Sequence, residues 1–342
     1  MKLSFVQYDV HCTHPFGISR NTHESYPEIF IYLEQDGLVG RGETSPSERY
    51  GESVEKIMSV LENGFSFPGS ESSPEEFESS VLSQCHGIKS LEMGMSMAYL
   101  DWWTQKEGIP MKDYFGIETN EGPLTSFTIA IGNMDLIAQK VEEAEPYKIL
   151  KVKLGTDHDK EIINAIRTET DKVIRVDANE GWDLESGEAM CKWLADQNVE
   201  YVEQPLPANN VADTAKLKDR SPLPLFADEN CMVPKDIPEI ALAFDGINIK
   251  LMKCGSMLKA KKMIDMARER DLQIMLGCMV ESSIGITAAA HISPLVDHAD
   301  LDGHVLIDND PYSGVQIIDG HVTIPDGNGL GVSLDSDHPG LK

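Results

Sequence analysis

The segment Ile149-Leu-Lys-Val-Lys-Leu-Gly155 decides the fold, because it belongs to a series of short apolar runs that end in charged or polar residues. Similar runs recur as far as residue 303, and one marker can be taken near the end of each. The markers are Lys153, Asp177, Glu203, Asp228, Lys250, Cys278 and Asp300, and the intervals between them are 24, 26, 25, 22, 28 and 22 residues. A period of about 25 residues fits one strand, one helix and two loops. The sequence therefore predicts a repeated β/α unit.

Eight such runs predict an α/β fold, a (β/α)7–8 barrel of the TIM type rather than an open doubly wound sheet. These strands are apolar runs, as buried parallel strands are expected to be. The predicted strands are Ser126–Gly132, Ile149–Gly155, Val173–Asn179, Val199–Leu206, Leu223–Glu229, Gly246–Met252, Leu272–Cys278 and His298–Gly303. A dinucleotide-binding sheet would need G-x-G-x-x-G after its first strand, and the sequence has no such pattern there. Walker-type and HExxH patterns are absent from the sequence as well.

The residues before the repeat have a different pattern and predict an N-terminal α+β capping domain. Two strands joined by a short turn are predicted at Glu28–Glu34 and Gly37–Glu43, and helices at Ser53–Leu61 and Ile88–Lys106. We therefore predict a capping domain at 1–115 and a catalytic barrel at 116–310. The C-terminal segment, 311–342, is expected to pack back on the capping domain.

Composition excludes several classes of function. The 342 residues include 29 Lys+Arg and 57 Asp+Glu, which gives a formal net charge of −28 and argues against nucleic acid or an anionic membrane as partner. No apolar run approaches the ~18 residues of a membrane-spanning helix, and the first residues lack a signal-peptide core. Six scattered cysteines without a CxxC pair indicate reduced thiols. We expect a cytoplasmic protein.

Charged residues stand at the ends of most predicted strands, at the same phase of the repeat. They are Lys151, Lys153, Asp177, Glu203, Asp228, Lys250, Asp300 and Asp302. In a barrel these strand ends meet at one face, where catalytic residues collect. A single such charge is most often a solvated loop residue, but so many at one phase of a repeat favour a functional site.

Three of these residues form a set of hard oxygen donors suited to Mg²⁺, namely Asp177, Glu203 and Asp228. A divalent ion that binds a substrate carboxylate stabilises the enediolate formed when the adjacent carbon loses its proton. Lys153 and Lys250 belong to strands two and six, on opposite sides of an eight-stranded barrel. Two lysines so placed can remove a proton from one face of a carbon and return one to the other.

The ordered series of motifs resembles the enolase superfamily, its muconate-lactonizing subgroup, and within that the dipeptide epimerases. In the barrel the similar elements are Lys151-Val-Lys153, Val176-Asp-Ala-Asn179, Val202-Glu-Gln-Pro205, Ala227-Asp-Glu229, Asn248-Ile-Lys-Leu-Met-Lys-Cys-Gly255 and Leu276-Gly-Cys-Met279. In the capping domain and its loops they are His14-Pro-Phe-Gly-Ile-Ser-Arg20, Gly42-Glu43 and Arg49-Tyr-Gly-Glu52. The resemblance covers nearly the whole chain.

The resemblance implies a role for each matching residue. It implies one Mg²⁺ per subunit on Asp177, Glu203 and Asp228, and acid/base catalysis by Lys153 and Lys250. Further substrate contacts are implied or suggested for Lys151, Asp300, Asp302, Arg20, Thr128, Cys278 and Met279. Lys151 would neutralise the substrate carboxylate, and the pair Asp300 and Asp302 would hold the free α-ammonium group of a dipeptide.

The side-chain specificity depends on the N-terminal loop. Relatives that act on L-Ala-D/L-Glu have a basic residue there for the distal carboxylate, and Arg20 and His23 are the candidates. Simple loop packing by Arg20 is the alternative reading, as is a purely structural role for Thr128. Cys278 and Met279 are expected to line the pocket, and Cys278 has no general base in view.

The sequence therefore predicts a Mg²⁺-dependent epimerase that interconverts L-Ala-D-Glu and L-Ala-L-Glu, in the recycling of cell-wall peptides. The alternatives are an epimerase for L-Ala-Xaa dipeptides with hydrophobic or cationic Xaa, then an N-acylamino-acid racemase or a cycloisomerase. A non-catalytic binding barrel is the alternative outside enzymes, and retention of both lysines and all three carboxylates speaks against it. We expect a homo-oligomer whose partner is a small dipeptide.

Overall fold

The structure is a computed structural model that describes residues 1–335 and 341. Its first part is an antiparallel sheet in the order β1-β2-β3, followed by helices that pack on one of its faces. The elements are β1 (Lys2–Gly17), β2 (Thr22–Gln35), β3 (Leu38–Thr44), α1 (Val54–Glu62), α2 (Pro74–Val81), α3 (Lys89–Glu107) and α4 (Met111–Tyr114). The predicted strands and helices are present here, but the sequence does not predict β1, α2 or the short helix α4. Residues 14–17, predicted to belong to a loop, are the last residues of β1.

Helix α3 lies very close to strand β3, because small residues face each other at the contact. A Cβ atom on Gly42 would lie 2.0 Å from the carbonyl oxygen of Gly94. The helix buries almost its whole surface, including Met93, Met97 and Trp102. This packing makes the first part of the chain a rigid support for the loops that leave its sheet.

The second part is a barrel of eight parallel strands, as the 25-residue repeat predicts. The strands are β5 (Ser126–Ile129), β6 (Ile149–Lys153), β7 (Val173–Asp177), β8 (Val199–Glu203), β9 (Leu225–Ala227), β10 (Gly246–Lys250), β11 (Gln273–Gly277) and β12 (His298–Asp300). The helices between them are α5 (Ile137–Glu143), α6 (Asp159–Glu169), α7 (Leu184–Ala195), α8 (Val211–Arg220), α9 (Ile237–Ala243), α10 (Leu251–Cys254), α11 (Met257–Arg268) and α12 (Ser283–Ala290). Each strand lies within its predicted run, and the predicted fold class is confirmed.

The seam between the first and last barrel strands is closed mainly by side chains. Thr125 forms an isolated parallel bridge with Ala299, and its Oγ1 accepts a hydrogen bond from the Leu301 amide at 2.8 Å. Deeper in the barrel, Tyr201, Phe226 and Met275 form a cluster in which the first two rings stack 4.2 Å apart. The barrel is therefore filled at its base and polar at the carboxyl ends of its strands.

The C-terminal segment runs along both parts of the molecule. Strand β14 (Gln316–Ile318) pairs with β15 (His321–Thr323), and β15 pairs with β4 (Glu121–Leu124), which precedes the first barrel strand. Strand β13 (Tyr312–Ser313) pairs with β16 (Ser333–Leu334). The Tyr312 hydroxyl lies 2.9 Å from that of Tyr32 in the N-terminal sheet. Residues 336–340 and 342 of the predicted segment lie outside the described residues, and the predicted boundary at 115/116 falls between α4 and β4.

The six cysteines, all at described positions, are free thiols. Across residues 1–335 and 341, no helix is both long and apolar enough to cross a lipid bilayer.

Candidate active site

Three buried carboxylates converge at the carboxyl ends of adjacent barrel strands. Asp177 and Glu203 end β7 and β8, and Asp228 directly follows β9. One oxygen from each lies within 4.8 Å of the others. Burial, and then the neighbouring charge of Asp177, raise the pKa of Glu203 to about 7. Three carboxylates buried this close together need nearby positive charge to balance their repulsion.

Two lysines of β6 face this cluster, because residues two apart in a strand point to the same side. The Lys153 Nζ lies 2.7 Å from Oδ2 of Asp177. The Lys151 Nζ lies 2.7 Å from Oε2 of Glu203 and 3.4 Å from Oδ2 of Asp177. Burial disfavours a charged Lys151, but the surrounding carboxylates outweigh it and raise its pKa. The ammonium groups of Lys151 and Lys153 therefore neutralise part of the negative charge of the carboxylates, as a bound metal ion would.

A third lysine approaches from the other side of the barrel. Lys250 ends β10, which is four strands away from β6 in an eight-stranded sheet. Its Nζ lies 3.0 Å from Oδ2 of Asp228. Burial opposes its charge, but Asp228, Glu203 and Tyr50 together outweigh burial and raise the pKa of Lys250. The carboxylates thus lie between Lys153 and Lys250.

Sequence reasoning missed two residues that orient the carboxylates. Lys253 is fully buried, and its Nζ donates to Oδ1 of Asp228 and, at 2.6 Å, to the Asp228 carbonyl oxygen. Asn248 donates from Nδ2 to Oε1 of Glu203 at 2.6 Å. Both belong to the quoted motif 248–255, but neither is a charged residue at the end of a strand. Helix α10 turns the chain so that Lys253 returns to the site.

The two aspartates after β12 lie at the barrel seam. Asp300 receives hydrogen bonds from Lys151 Nζ at 2.6 Å and from Ser126 Oγ at 2.7 Å. Asp302 accepts one from the backbone amide of Thr128 at 2.6 Å. Burial, and then Asp300, raise the pKa of Asp302 to about 7. Thr128 therefore meets Asp302 through its backbone.

Arg20 lies over the barrel mouth, in the first cap loop (residues 18–21). Its guanidinium donates to the carbonyl oxygen of Asn179 at 2.8 Å, to Glu180 Oε2 at 3.1 Å and to Glu229 Oε1 at 2.9 Å. The other candidate, His23, is exposed on β2, and its ring lies 5.3 Å from that of Tyr26. Only Arg20 is brought to the site, and there it already has two carboxylate partners.

Cys278 and Met279 follow β11 at the rim of the site. The Cys278 Sγ lies 3.2 Å from the carbonyl oxygen of Asp300. Burial, followed by Asp302 and Asp300, raises the pKa of this thiol well above its usual value, so it stays protonated. The Met279 amide donates to Oε1 of Glu281 at 2.7 Å. Cys278 and Met279 are therefore placed to line the site, and the protonated Cys278 thiol is not suited to act as a nucleophile.

The barrel, its N-terminal sheet domain and the lysine-flanked carboxylates define an enzyme of the enolase type. The chain belongs to the family described as enolase C-terminal domain-like, whose model matches residues 134–338.

Similar proteins narrow the class. A Bacteroides thetaiotaomicron protein named L-Ala-D/L-Glu epimerase is 38% identical over 338 residues, which is 97% of this chain and 88% of that protein. A Flavobacterium johnsoniae protein named L-Ala-D/L-amino acid epimerase is 34% identical over 98% of this chain and 100% of its own. The crystal structure of dipeptide epimerase from Cytophaga hutchinsonii complexed with Mg and the dipeptide D-Ala-L-Val superposes with a TM-score of 0.91. Its identity is 25%, over 98% of this chain and 96% of that one.

Proposed function

We propose that the protein is a Mg²⁺-dependent dipeptide epimerase, an isomerase that interconverts L-Ala-D-Glu and L-Ala-L-Glu. The observation that carries the proposal is the position of Lys153 and Lys250 on opposite sides of the buried carboxylates. A reaction that inverts a stereocentre needs one proton acceptor and one proton donor on opposite faces of the carbon. The relatives named as epimerases for dipeptides support the same reaction.

The residues present fit a divalent ion. Asp177, Glu203 and Asp228 would hold it, because they supply closely spaced, buried oxygen donors of the kind Mg²⁺ prefers. The Mg complex of the Cytophaga hutchinsonii enzyme supports such an ion, and we propose one per subunit. When bound, the ion supplies positive charge beside the substrate carboxylate, which makes the neighbouring carbon more acidic.

The lysines divide the proton transfer between them. One of Lys153 and Lys250 takes the α-proton of the C-terminal residue, and the other returns a proton to the opposite face. Which lysine acts first depends on the hand of the substrate. A lysine needs a lowered pKa to accept a proton, whereas Asp228 and Glu203 raise the pKa of Lys250. The positive charge of a bound divalent ion would offset these carboxylates and so lower the pKa of a neighbouring lysine. Lys151, buried next to Glu203 and Asp177, would balance the substrate carboxylate.

The dipeptide amino terminus would bind at Asp300 and Asp302. Two carboxylates against one ammonium form charge-assisted hydrogen bonds in a largely dry site. Such a site favours a free dipeptide over an N-acylated amino acid or a lactone. This preference separates the proposed activity from racemases and cycloisomerases of the same fold.

The Glu side chain of the substrate would bind near Arg20, in exchange for one of the carboxylates that now pair with it. A second candidate function follows from that pairing. Since Glu180 and Glu229 already neutralise Arg20, the site also suits Ala-Xaa dipeptides with an uncharged second residue. The relative named L-Ala-D/L-amino acid epimerase supports this wider specificity.

The proposal includes the setting of the enzyme. Six free thiols support a reducing, cytoplasmic environment. We further infer a homo-oligomer, which size-exclusion chromatography with light scattering measures directly. A role in recycling cell-wall peptides would follow from the Ala-Glu substrate.

Exchange of the α-proton in D₂O tests the function directly. The Mg²⁺-loaded protein is incubated with a library of Ala-Xaa dipeptides, and deuterium uptake is read by mass spectrometry. Strongest exchange on Ala-Glu supports the L-Ala-D/L-Glu specificity. Strongest exchange on dipeptides with an uncharged second residue supports the wider Ala-Xaa specificity, and strongest exchange on those with a cationic second residue supports an epimerase for cationic dipeptides. A Lys153→Met/Lys250→Met double variant is the matched control. Absence of exchange on every dipeptide would contradict the proposed activity.

A further inference from the structure

Glu180, in the loop between β7 and α7, connects the barrel to two separate loops of the N-terminal domain. Its Oε2 accepts from Arg20 in the first cap loop at 3.1 Å. Arg49 in the second cap loop (residues 45–53) donates to both carboxylate oxygens, from Nε to Oε2 at 3.1 Å and from Nη2 to Oε1 at 3.0 Å. The Ala208 amide donates to Oε1 at 2.8 Å. One carboxylate thus joins four segments of the chain.

The backbone conformation at Glu180 fixes the direction of this carboxylate. Asn179 and Glu180 both have left-handed conformations, with φ of 44° and 66°. Non-glycine residues seldom adopt this region, and it persists where the surroundings hold it. Here the Glu180 amide donates to the carbonyl oxygen of Gln204 at 2.9 Å, and the Gly181 amide to that of Ala178 at 2.8 Å. The Glu180 side chain is 11% exposed, against 33% for Arg20 and 43% for Arg49.

The two cap loops carry side chains that face the site. Arg20 is the proposed contact for the substrate side chain, and it also pairs with Glu229. Tyr50 directly follows Arg49, is half-buried and lines a cavity together with Glu229. A change in the position of the two cap loops would therefore move Arg20 and Tyr50, which border the proposed substrate site.

We propose that Glu180 is a positioning residue that keeps both cap loops over the barrel mouth. The segments 18–21 and 45–53 are separate in sequence and pair with the same carboxylate. One acidic side chain on the barrel therefore sets the position of both. The kinetic consequence rests on the proposed function, whereas the loop position does not.

Limited proteolysis measures the loop position independently of activity. Trypsin cuts after arginine, so opening of the two loops exposes Arg20–Asn21 and Arg49–Tyr50, which release fragments 1–20 and 1–49 for mass analysis. Glu180→Gln removes the charge but keeps an acceptor for the Ala208 amide. In the Mg²⁺-loaded full chain we expect cleavage at these two bonds to accelerate roughly three- to tenfold, as loss of partly exposed ion pairs implies.

Kinetics separate positioning from simple structural damage. With the dipeptide that exchanges best, Glu180→Gln should raise KM several-fold and leave kcat within about twofold, because the lysines are untouched. The matched control is Glu185→Gln, which removes an exposed carboxylate on α7. Glu180→Asp keeps the charge but withdraws it by one methylene, so its cleavage and kinetics should resemble those of Glu180→Gln. It serves as the test variant if Glu180→Gln unfolds at a lower urea concentration than the wild type.

Unchanged cleavage in both Glu180 variants, or a fall in kcat with unchanged KM, would overturn the proposal. Accelerated cleavage of the variants, in a protein that exchanges no dipeptide, would support the positioning role and contradict only the proposed substrate.

Discussion

The Nζ atom of Lys151 lies 2.6 Å from Oδ2 of Asp300, so the second and eighth barrel strands share an ion pair inside the site. These are the groups expected to meet the carboxylate and the ammonium of the substrate. In the structure the two groups neutralise each other. A dipeptide that brings both charges can exchange with this pair at little electrostatic cost, whereas a ligand with one charge leaves a buried partner unpaired.

The first prediction concerns the ammonium site. Asp302→Asn should raise KM for Ala-Glu roughly 10- to 100-fold, because a charge-assisted hydrogen bond to a buried carboxylate is lost. The variant should also lose its preference for Ala-Glu over N-acetyl-Ala-Glu, which has no ammonium group. Steady-state kinetics with both compounds provide the measurement. A preserved preference would remove Asp302 from the site.

The second prediction concerns the division of labour between the lysines. Lys153→Met and Lys250→Met should each lower the epimerisation rate roughly 10²- to 10⁴-fold, the usual contribution of a general acid or base. Each variant should still exchange the α-proton of one substrate hand in D₂O, and the retained hands should be opposite. Lys148→Met, at an exposed position before β6, is the control. An active double variant would refute the two-base mechanism.

Much of this site was predictable because barrel geometry imposes a rule on sequence. Parallel strands end at one face, so charged residues at a fixed phase of the repeat must converge. Lys153, Asp177 and Glu203 are each the last residue of their strands, and Lys250 ends its own as well. The apolar runs predicted each strand too long, since the chain stays apolar in the loops that pack on the barrel rim.

Other features depend on tertiary contacts that a periodic pattern does not contain. Strand β1 mixes polar and apolar residues and contains Pro15, so its full length is evident only from its long pairing with β2. Lys253 sits in a short helix, where a charge is usually solvated, but here it is fully buried against Asp228. The partners of Arg20 come from residues more than 150 positions away.

The third prediction follows from Lys253. Replacing it by Met removes one of the two buried ammonium groups that pair with Asp228, the other being that of Lys250, so the free energy of unfolding should fall by about 3 kcal/mol. Urea unfolding of the metal-free protein provides the measurement. Lys261→Met is the control, because Lys261 pairs with Asp265 at the surface and should change stability by less than about 1 kcal/mol. Equal effects of the two substitutions would contradict a structural role for the buried lysine.

The fourth prediction concerns metal binding. Only a deprotonated carboxylate binds a metal ion well, and burial followed by Asp177 raises the pKa of Glu203 to about 7. Mg²⁺ affinity should therefore fall as pH falls through 7, by roughly tenfold between pH 8 and pH 6. Calorimetric titration at several pH values measures it. In Glu203→Gln the affinity should be low throughout and lose this step, and a pH-independent Kd in the wild type would contradict the assignment.

A second group of carboxyls lies between the N-terminal sheet and the barrel. Glu43 accepts from the Ser282 amide, the Ser282 hydroxyl and the Gly285 amide, each at 2.7 Å. The Glu281 carboxylate lies close to that of Glu43, with Gly285 next to both. A Cβ atom on Gly285 would be 2.3 Å from Oε2 of Glu281 and 3.0 Å from Oε2 of Glu43. Glu28 is fully buried nearby, and among the described residues its Oε2 has no hydrogen-bond partner.

The fifth prediction is that this group makes stability fall as pH rises. Burial, partly opposed by the Met279 amide and Lys250, raises the pKa of Glu281 from 4.5 to about 7. Between these values the folded protein holds a proton that the unfolded chain has lost, so this contribution is full below pH 4.5 and is lost as pH rises through 7. Glu281→Gln keeps the shape without the charge, and its stability relative to wild type should rise by up to about 3 kcal/mol between pH 5 and pH 8. Urea unfolding at each pH measures the difference, with the exposed Glu118→Gln as control. A difference that stays constant with pH would show that Glu281 is already ionised in the folded protein at pH 5.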